Sequence, residues 1–151
     1  MIYPKVSSSN NAQTEASNIN TIKASVDSLY ASSPDYHGLT TDVAIQSKIF
    51  PDTMVNTAGT AALNTFKGPV TITTSKDSIS RAEDSAFLIT YSNVPSSECV
   101  KIVSAVQNNF YKVSVGGTIV KSGAFTPGIF DITRLTTECA KGNSTIVFTA
   151  I

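Results

Sequence analysis

Cys99 and Cys139 carry the most reactive side chains in this 151-residue sequence, and they are its only cysteines. No C-x-x-C spacing and no partner histidines accompany them, so neither a zinc centre nor a thiol redox motif is indicated. An isolated pair in a small domain is most simply one disulfide, which places the chain in an oxidising, extracytoplasmic compartment. The alternative is a pair of reduced core cysteines in a cytosolic protein. If the bond forms, the long loop it closes confers roughly 4 kcal/mol through the unfolded state.

The other candidates for chemistry are weaker. His37, the single histidine, lies between Asp35 and Gly38 among many serines, but no G-x-S-x-G elbow exists to complete a Ser-His-Asp arrangement. Glu83-Asp84 beside Arg81 reads as a solvated turn, since no EF-hand spacing surrounds it. Gly116-Gly117 lacks the helix-opening context and nearby Lys-Ser/Thr of a phosphate cradle. Asn143-Ser144-Thr145 matches a glycosylation acceptor, a frequent match in a chain rich in Ser and Thr. The inventory points to a structural or binding module rather than an enzyme, with no cofactor and no metal.

Charge narrows the partners further. Eleven basic and eleven acidic residues leave no net charge, and only 15% of the chain is charged, so no electrostatic footprint for nucleic acid or an anionic membrane is present. The polar surface is built instead from Ser, Thr and Asn. No run of 18 apolar residues occurs, and the N-terminus lacks the basic and apolar regions of a signal peptide. An exported domain without such a signal is expected to be a mature or truncated form.

The elements that must position these residues are legible as periodicities. Ala12, Ala16, Ile19, Ile22, Val26 and Leu29 recur at helical spacing over Ser7 to Tyr30, until Pro34 to Gly38 breaks the pattern. Ala16, Ile19, Ile22, Val26 and Leu29 are expected to pack on the sheet, leaving the opposite side or the first turns, Tyr3 to Ala12, for neighbouring molecules. Thr40-Thr41-Asp42 caps a short helix, Val43 to Ile49, and Asp52 to Gly59 is loop. Residues 61–66, 70–73 and 86–91 are strand candidates rich in β-branched and aromatic side chains. Pro95 starts a helix bearing Cys99, Ile102, Val103, Val106 and Phe110. Residues 111–115 and 118–121 alternate about Gly116-Gly117 as a hairpin. Asp131 caps a last helix carrying Ile132, Leu135 and Cys139, and residues 145–151 form a final strand. The order predicts an α+β fold with a largely antiparallel sheet.

Together with the Ser/Asn-rich first helix, two segments resemble the type IVb pilins, closest to the PilS branch of thin-pilus subunits. They are Ile49-Phe50-Pro51-Asp52-Thr53-Met54-Val55 and Asn93-Val94-Pro95-Ser96-Ser97-Glu98-Cys99-Val100-Lys101-Ile102-Val103, the latter followed by a second C-terminal cysteine. The resemblance implies a pilin-like head in one domain, 1–151: residues 1–30 as the C-terminal half of a long N-terminal helix, 31–60 as a connecting loop with a short helix, and 61–151 as the sheet and a disulfide-closed region. It implies that the apolar first half of the helix, the leader and an acidic residue near the mature N-terminus are missing. By the same likeness, Cys99 and Cys139 match the bond that closes the family's variable region, with Lys112, Lys121, Arg134 and Lys141 as its exposed charges.

Functionally, the resemblance implies a non-enzymatic pilus subunit acting in adhesion, autoaggregation or conjugative contact. Its expected partners are further copies of itself in the full-length filament, the pilus assembly machinery and a receptor on a host or recipient cell. Nucleic acid is not among them, and the membrane is reached only through the missing segment. The expected location is an extracellular pilus of a Gram-negative bacterium, by way of the inner membrane. A minor pilin or tip adhesin of the same fold and a secretion-system pseudopilin are the alternatives; the latter is weakened because Asp131 and Glu138 are too few carboxylates for a calcium cage.

Overall fold

The computed structural model describes residues 3–33, 35–75, 84–122 and 129–150, and the side chains of all these except 3–10 and 129. The chain opens with a 27-residue helix, α1 (Tyr3–Leu29), whose described apolar positions Ala12, Ala16, Ile19, Ile22 and Val26 are buried. It lies alongside a second amphipathic helix, α3 (Ser96–Val106), and both turn their apolar faces into one core. Burying each of the three β-branched side chains Ile19, Ile22 and Val26 on this face stabilises the packing by roughly 1.5–3 kcal/mol. The first turns, Tyr3 to Ala12, are one of the two surfaces expected to meet neighbouring molecules, and their side chains up to residue 10 lie outside the described residues.

Between these helices the chain forms α2 (Thr41–Gln46) and three strands, β1 (Ala62–Leu63), β2 (Pro69–Ser75) and β3 (Ala86–Val94). The Thr40 hydroxyl accepts from the Val43 N–H and sets the start of α2. The helix stops short of the predicted Ile49 because Lys48 takes a left-handed backbone, φ 62°, which redirects Ile49 and Phe50 into the core. The predicted strand over 61–66 shrinks to two residues for a local reason. The Asn64 side chain accepts from the backbone N–H groups of Phe66 and Gly68 and donates to Ser92 O, so a side chain replaces the strand ladder. Gly68 passes so close to β3 that a Cβ there would sit 2.0 Å from Ser92 O. The Glu83 and Arg81 of the acidic turn lie outside the described residues.

After α3 come the hairpin β4 (Lys112–Val115) and β5 (Thr118–Ser122), the short β6 (Ile129–Phe130), α4 (Ile132–Cys139) and β7 (Ser144–Ala150). Gly116 and Gly117 have φ of 57° and 86°, the two positive values that a tight hairpin turn of right-handed twist requires. Asp131 accepts from the Arg134 N–H and caps α4. The strands form one sheet in the order β1-β2-β3-β7-β4-β5-β6 with every pairing antiparallel. The last strand in sequence is therefore the central one. Tyr91 pairs with Ile146 and Val113 with Phe148, so β7 joins the β1–β3 half to the β4–β6 half.

Candidate functional site

Two structural centres emerge, one on each side of the sheet's central strand. The first is the region bounded by the cysteines. Cys99 lies in the first turns of α3 and Cys139 ends α4, and the two are joined as a disulfide, both sulfurs inaccessible. The bond staples α4 to α3, and α4 in turn packs on the β4–β5 hairpin, which lies between the two helices in sequence. Ile119 on β5 and Ile132 at the start of α4 stay exposed, at 37% and 50%. Arg134 links them, since its guanidinium donates to Ile119 O at 3.1 Å.

The four cations expected on this surface are not equivalent. Arg134 and Lys141 are exposed, although Lys141 is held by Glu138 at 2.9 Å. Lys112, on β4, is half-buried. Lys121 corrects the expectation: its ammonium turns inward, donating to Gln107 O at 2.8 Å and to Phe110 O, and burial lowers its pKa. Those carbonyls belong to the chain leaving α3, at the carbonyl end of the helix, where a cation is favoured even though Gln107 O also accepts from the Phe110 N–H. Lys121 is an internal cap.

The second centre lies under α1. Glu15 is a carboxylate with 1% exposure, facing the sheet from within the apolar stripe. It accepts from the Tyr91 hydroxyl at 2.8 Å, from Thr65 N at 2.7 Å and from the Thr65 hydroxyl. One side chain thus fastens α1 to β3 and to the Asn64–Gly68 turn. Burial, reinforced by the negative charge of Glu15, raises the Tyr91 hydroxyl well above its ordinary pKa. Sequence reading missed this residue, yet a signal was present: 12, 15, 19, 22 and 26 follow the three-four spacing, and only Glu15 is charged.

Leu29, assigned to the face that packs on the sheet, is instead 49% exposed. The helix ends there and the chain curls through Tyr30 to Ser33, so no element covers the last apolar position. The neighbouring turn is held by Asp84, which accepts from Thr74 Oγ1 and pairs with His37 Nδ1 at 3.1 Å. Those two hydrogen bonds lower the Asp84 pKa. The His37 side chain is 84% exposed, pinning a loop rather than facing an enclosed site. Among the described residues no group of three or more His, Cys, Asp or Glu is placed to hold a metal ion, and no helix is long and apolar enough to cross a membrane.

Comparison with known proteins now bears on this architecture. The PilS N-terminal family matches residues 9–151. The chain belongs to that family. The chain shares its fold with TcpA, a type IV pilin from Vibrio cholerae El Tor biotype, at a TM-score of 0.68 and 19% identity, covering 94% of this chain and 99% of that one. A type IVb pilin from Salmonella typhi is similar at a TM-score of 0.65 and 20% identity, covering 90% and 97%. No curated protein matches the sequence. The helix laid on an antiparallel sheet and the Cys99–Cys139 bond are thus those of a type IV pilin-like subunit of pili. Pilins are structural proteins, and the family implies assembly into filaments outside the cell.

Proposed function

We propose that this PilS-family chain is a structural subunit of a type IVb pilus of a Gram-negative bacterium, repeated along the filament and working in adhesion, autoaggregation or conjugative contact. The family match over residues 9–151 is the observation that carries this reading. α1 supplies the inward side of each subunit in the assembled filament. The disulfide-closed region supplies the outward side, where the exposed Ile119, Ile132 and Arg134 form a mixed apolar and cationic patch suited to a partner. Before assembly the subunit waits at the inner membrane for the pilus machinery, and a receptor on the recipient or host cell is the outward partner.

A cysteine introduced at Thr133, exposed on α4, tests this in the bacterium that carries the gene. Sheared filaments treated with a maleimide dye are expected to be labelled along their whole length. Label confined to the filament end would assign the chain to a tip or minor subunit. Unlabelled filaments, with a gene deletion that leaves piliation, aggregation, adherence and mating unchanged, would sink the proposal.

A further inference from the structure

Where α1 ends, a cleft of about 320 Å3 opens between the helix and the turn that follows it. Asp27, Tyr30, Ser33, Asp35, Tyr36 and Ser85 line it. This volume lies at the small end of ligand pockets and suits a slender molecule rather than a bulky one. We infer that the cleft binds an organic cation, a primary ammonium or guanidinium on an aliphatic stem, held between the rings of Tyr30 and Tyr36 and the carboxylates of Asp27 and Asp35.

Charge is the first support. Among the described residues that line the cleft are two carboxylates and no basic group. Lys23 reaches Asp27 at 2.8 Å, but it lines the adjoining groove with Asn20 and Asn109 and neutralises only that carboxylate. Asp35 accepts from the His37 backbone N–H at 3.0 Å, a neutral donor that orients the carboxylate without cancelling its charge. The carbonyl end of a 27-residue helix adds a negative partial charge, and no basic residue occupies its last turn. Burial raises the hydroxyl pKa of both tyrosines, with Asp35 adding to the effect at Tyr30 and Asp27 at Tyr36. The fields of the two carboxylates therefore reach both phenols.

The aromatic geometry is the second support. Tyr30 and Tyr36 pack edge to face with centroids 5.7 Å apart, and Tyr36 is braced on the buried Phe87 at 4.9 Å. Ring faces fixed beside carboxylates attract a cation that carries an apolar stem, because the stem is desolvated on the rings while its head meets the acids. A divalent metal fits less well, since among the described residues no group of three or more metal-binding side chains exists. The same chemistry is presented by a free diamine and by a lysine side chain on a partner protein.

The test is an NMR titration of the 151-residue chain at pH 7.5 with 1,5-diaminopentane and, separately, with the peptide acetyl-Gly-Lys-Gly-amide, each against sodium chloride of equal ionic strength. Saturating shifts of the Tyr30, Asp35 and Tyr36 amides are expected. The Nε-acetylated peptide, 1-pentanol and glucose should leave them in place. Response to the diamine alone assigns the cleft to free amines, and response to both extends it to partner lysines. Asp27→Asn with Asp35→Asn should weaken binding roughly tenfold. Shifts no larger than salt produces, equal shifts from the neutral analogues, or undiminished binding by the folded double variant would each overturn the inference. The comparison with neutral analogues needs no variant to fold.

Discussion

Glu15 illustrates how one residue sets the register of a whole element. A buried carboxylate costs several kcal/mol unless its oxygens are satisfied, and here Tyr91 and Thr65 satisfy them. Glu15→Ala strands the Thr65 N–H and the Tyr91 hydroxyl at once, so a loss of about 3 kcal/mol in urea denaturation is expected. A loss under about 0.5 kcal/mol would show that the carboxylate fastens nothing. Tyr91 makes a prediction about pH from the same contact. Its folded pKa lies well above 10.0, so below about pH 10 both folded and unfolded chains hold a neutral phenol and stability is intact. Above that, only the unfolded chain ionises this tyrosine, and stability falls as pH rises toward the folded value. Absorbance titration at 295 nm should find Tyr91 ionising only together with loss of ellipticity, and Tyr91→Phe should flatten that alkaline limb.

At the scale of elements, the disulfide and the helices divide the labour. α1 is held by its apolar face and by Glu15, neither of which needs the bond between α3 and α4. Cys99→Ser with Cys139→Ser should therefore lower stability by about 2–5 kcal/mol while α1 keeps its amide-exchange protection. The loss of protection is expected in α4 and the β4–β5 hairpin. An unchanged melting temperature, or equal loss of protection across α1, would contradict this division. Lys121 belongs here too: a residue expected to face a partner instead closes the end of α3, because its long stem brings the ammonium within reach of the Gln107 and Phe110 carbonyls.

For the whole molecule, the placement of β7 decides cooperativity. Lying between β3 and β4, it makes the only described pairing that joins the two halves of the sheet. Removing residues 144–150 should abolish cooperative unfolding altogether, whereas trimming the edge strand β6 should only weaken it. A truncated chain that still melts in one sharp transition would mean that the halves are held by the helices instead. This long-range closure also bears on the family resemblance, since the pilins similar in fold are only 19% and 20% identical to this chain. A hydrophobic pattern can persist at that distance while surface chemistry, such as the Tyr30 and Tyr36 cleft, is free to differ.

Local signals in the sequence determined much of this protein. The α1 stripe, the Thr40 and Asp131 caps, the double-glycine hairpin and the helix beginning after Pro95 each depend on neighbours a few positions away, so spacing alone reveals them. The cysteine pair and the Val94-Pro95 block carried the family. Tertiary structure alone decided what depends on distant partners. Glu15 is paired with residues 50 and 76 positions away, Asn64 takes over a strand through Ser92, and the final strand lies at the centre. Leu29 and Lys121 were misplaced by the same blindness: periodicity gives the side of an element a residue occupies, but not whether another element covers that side or leaves it to water.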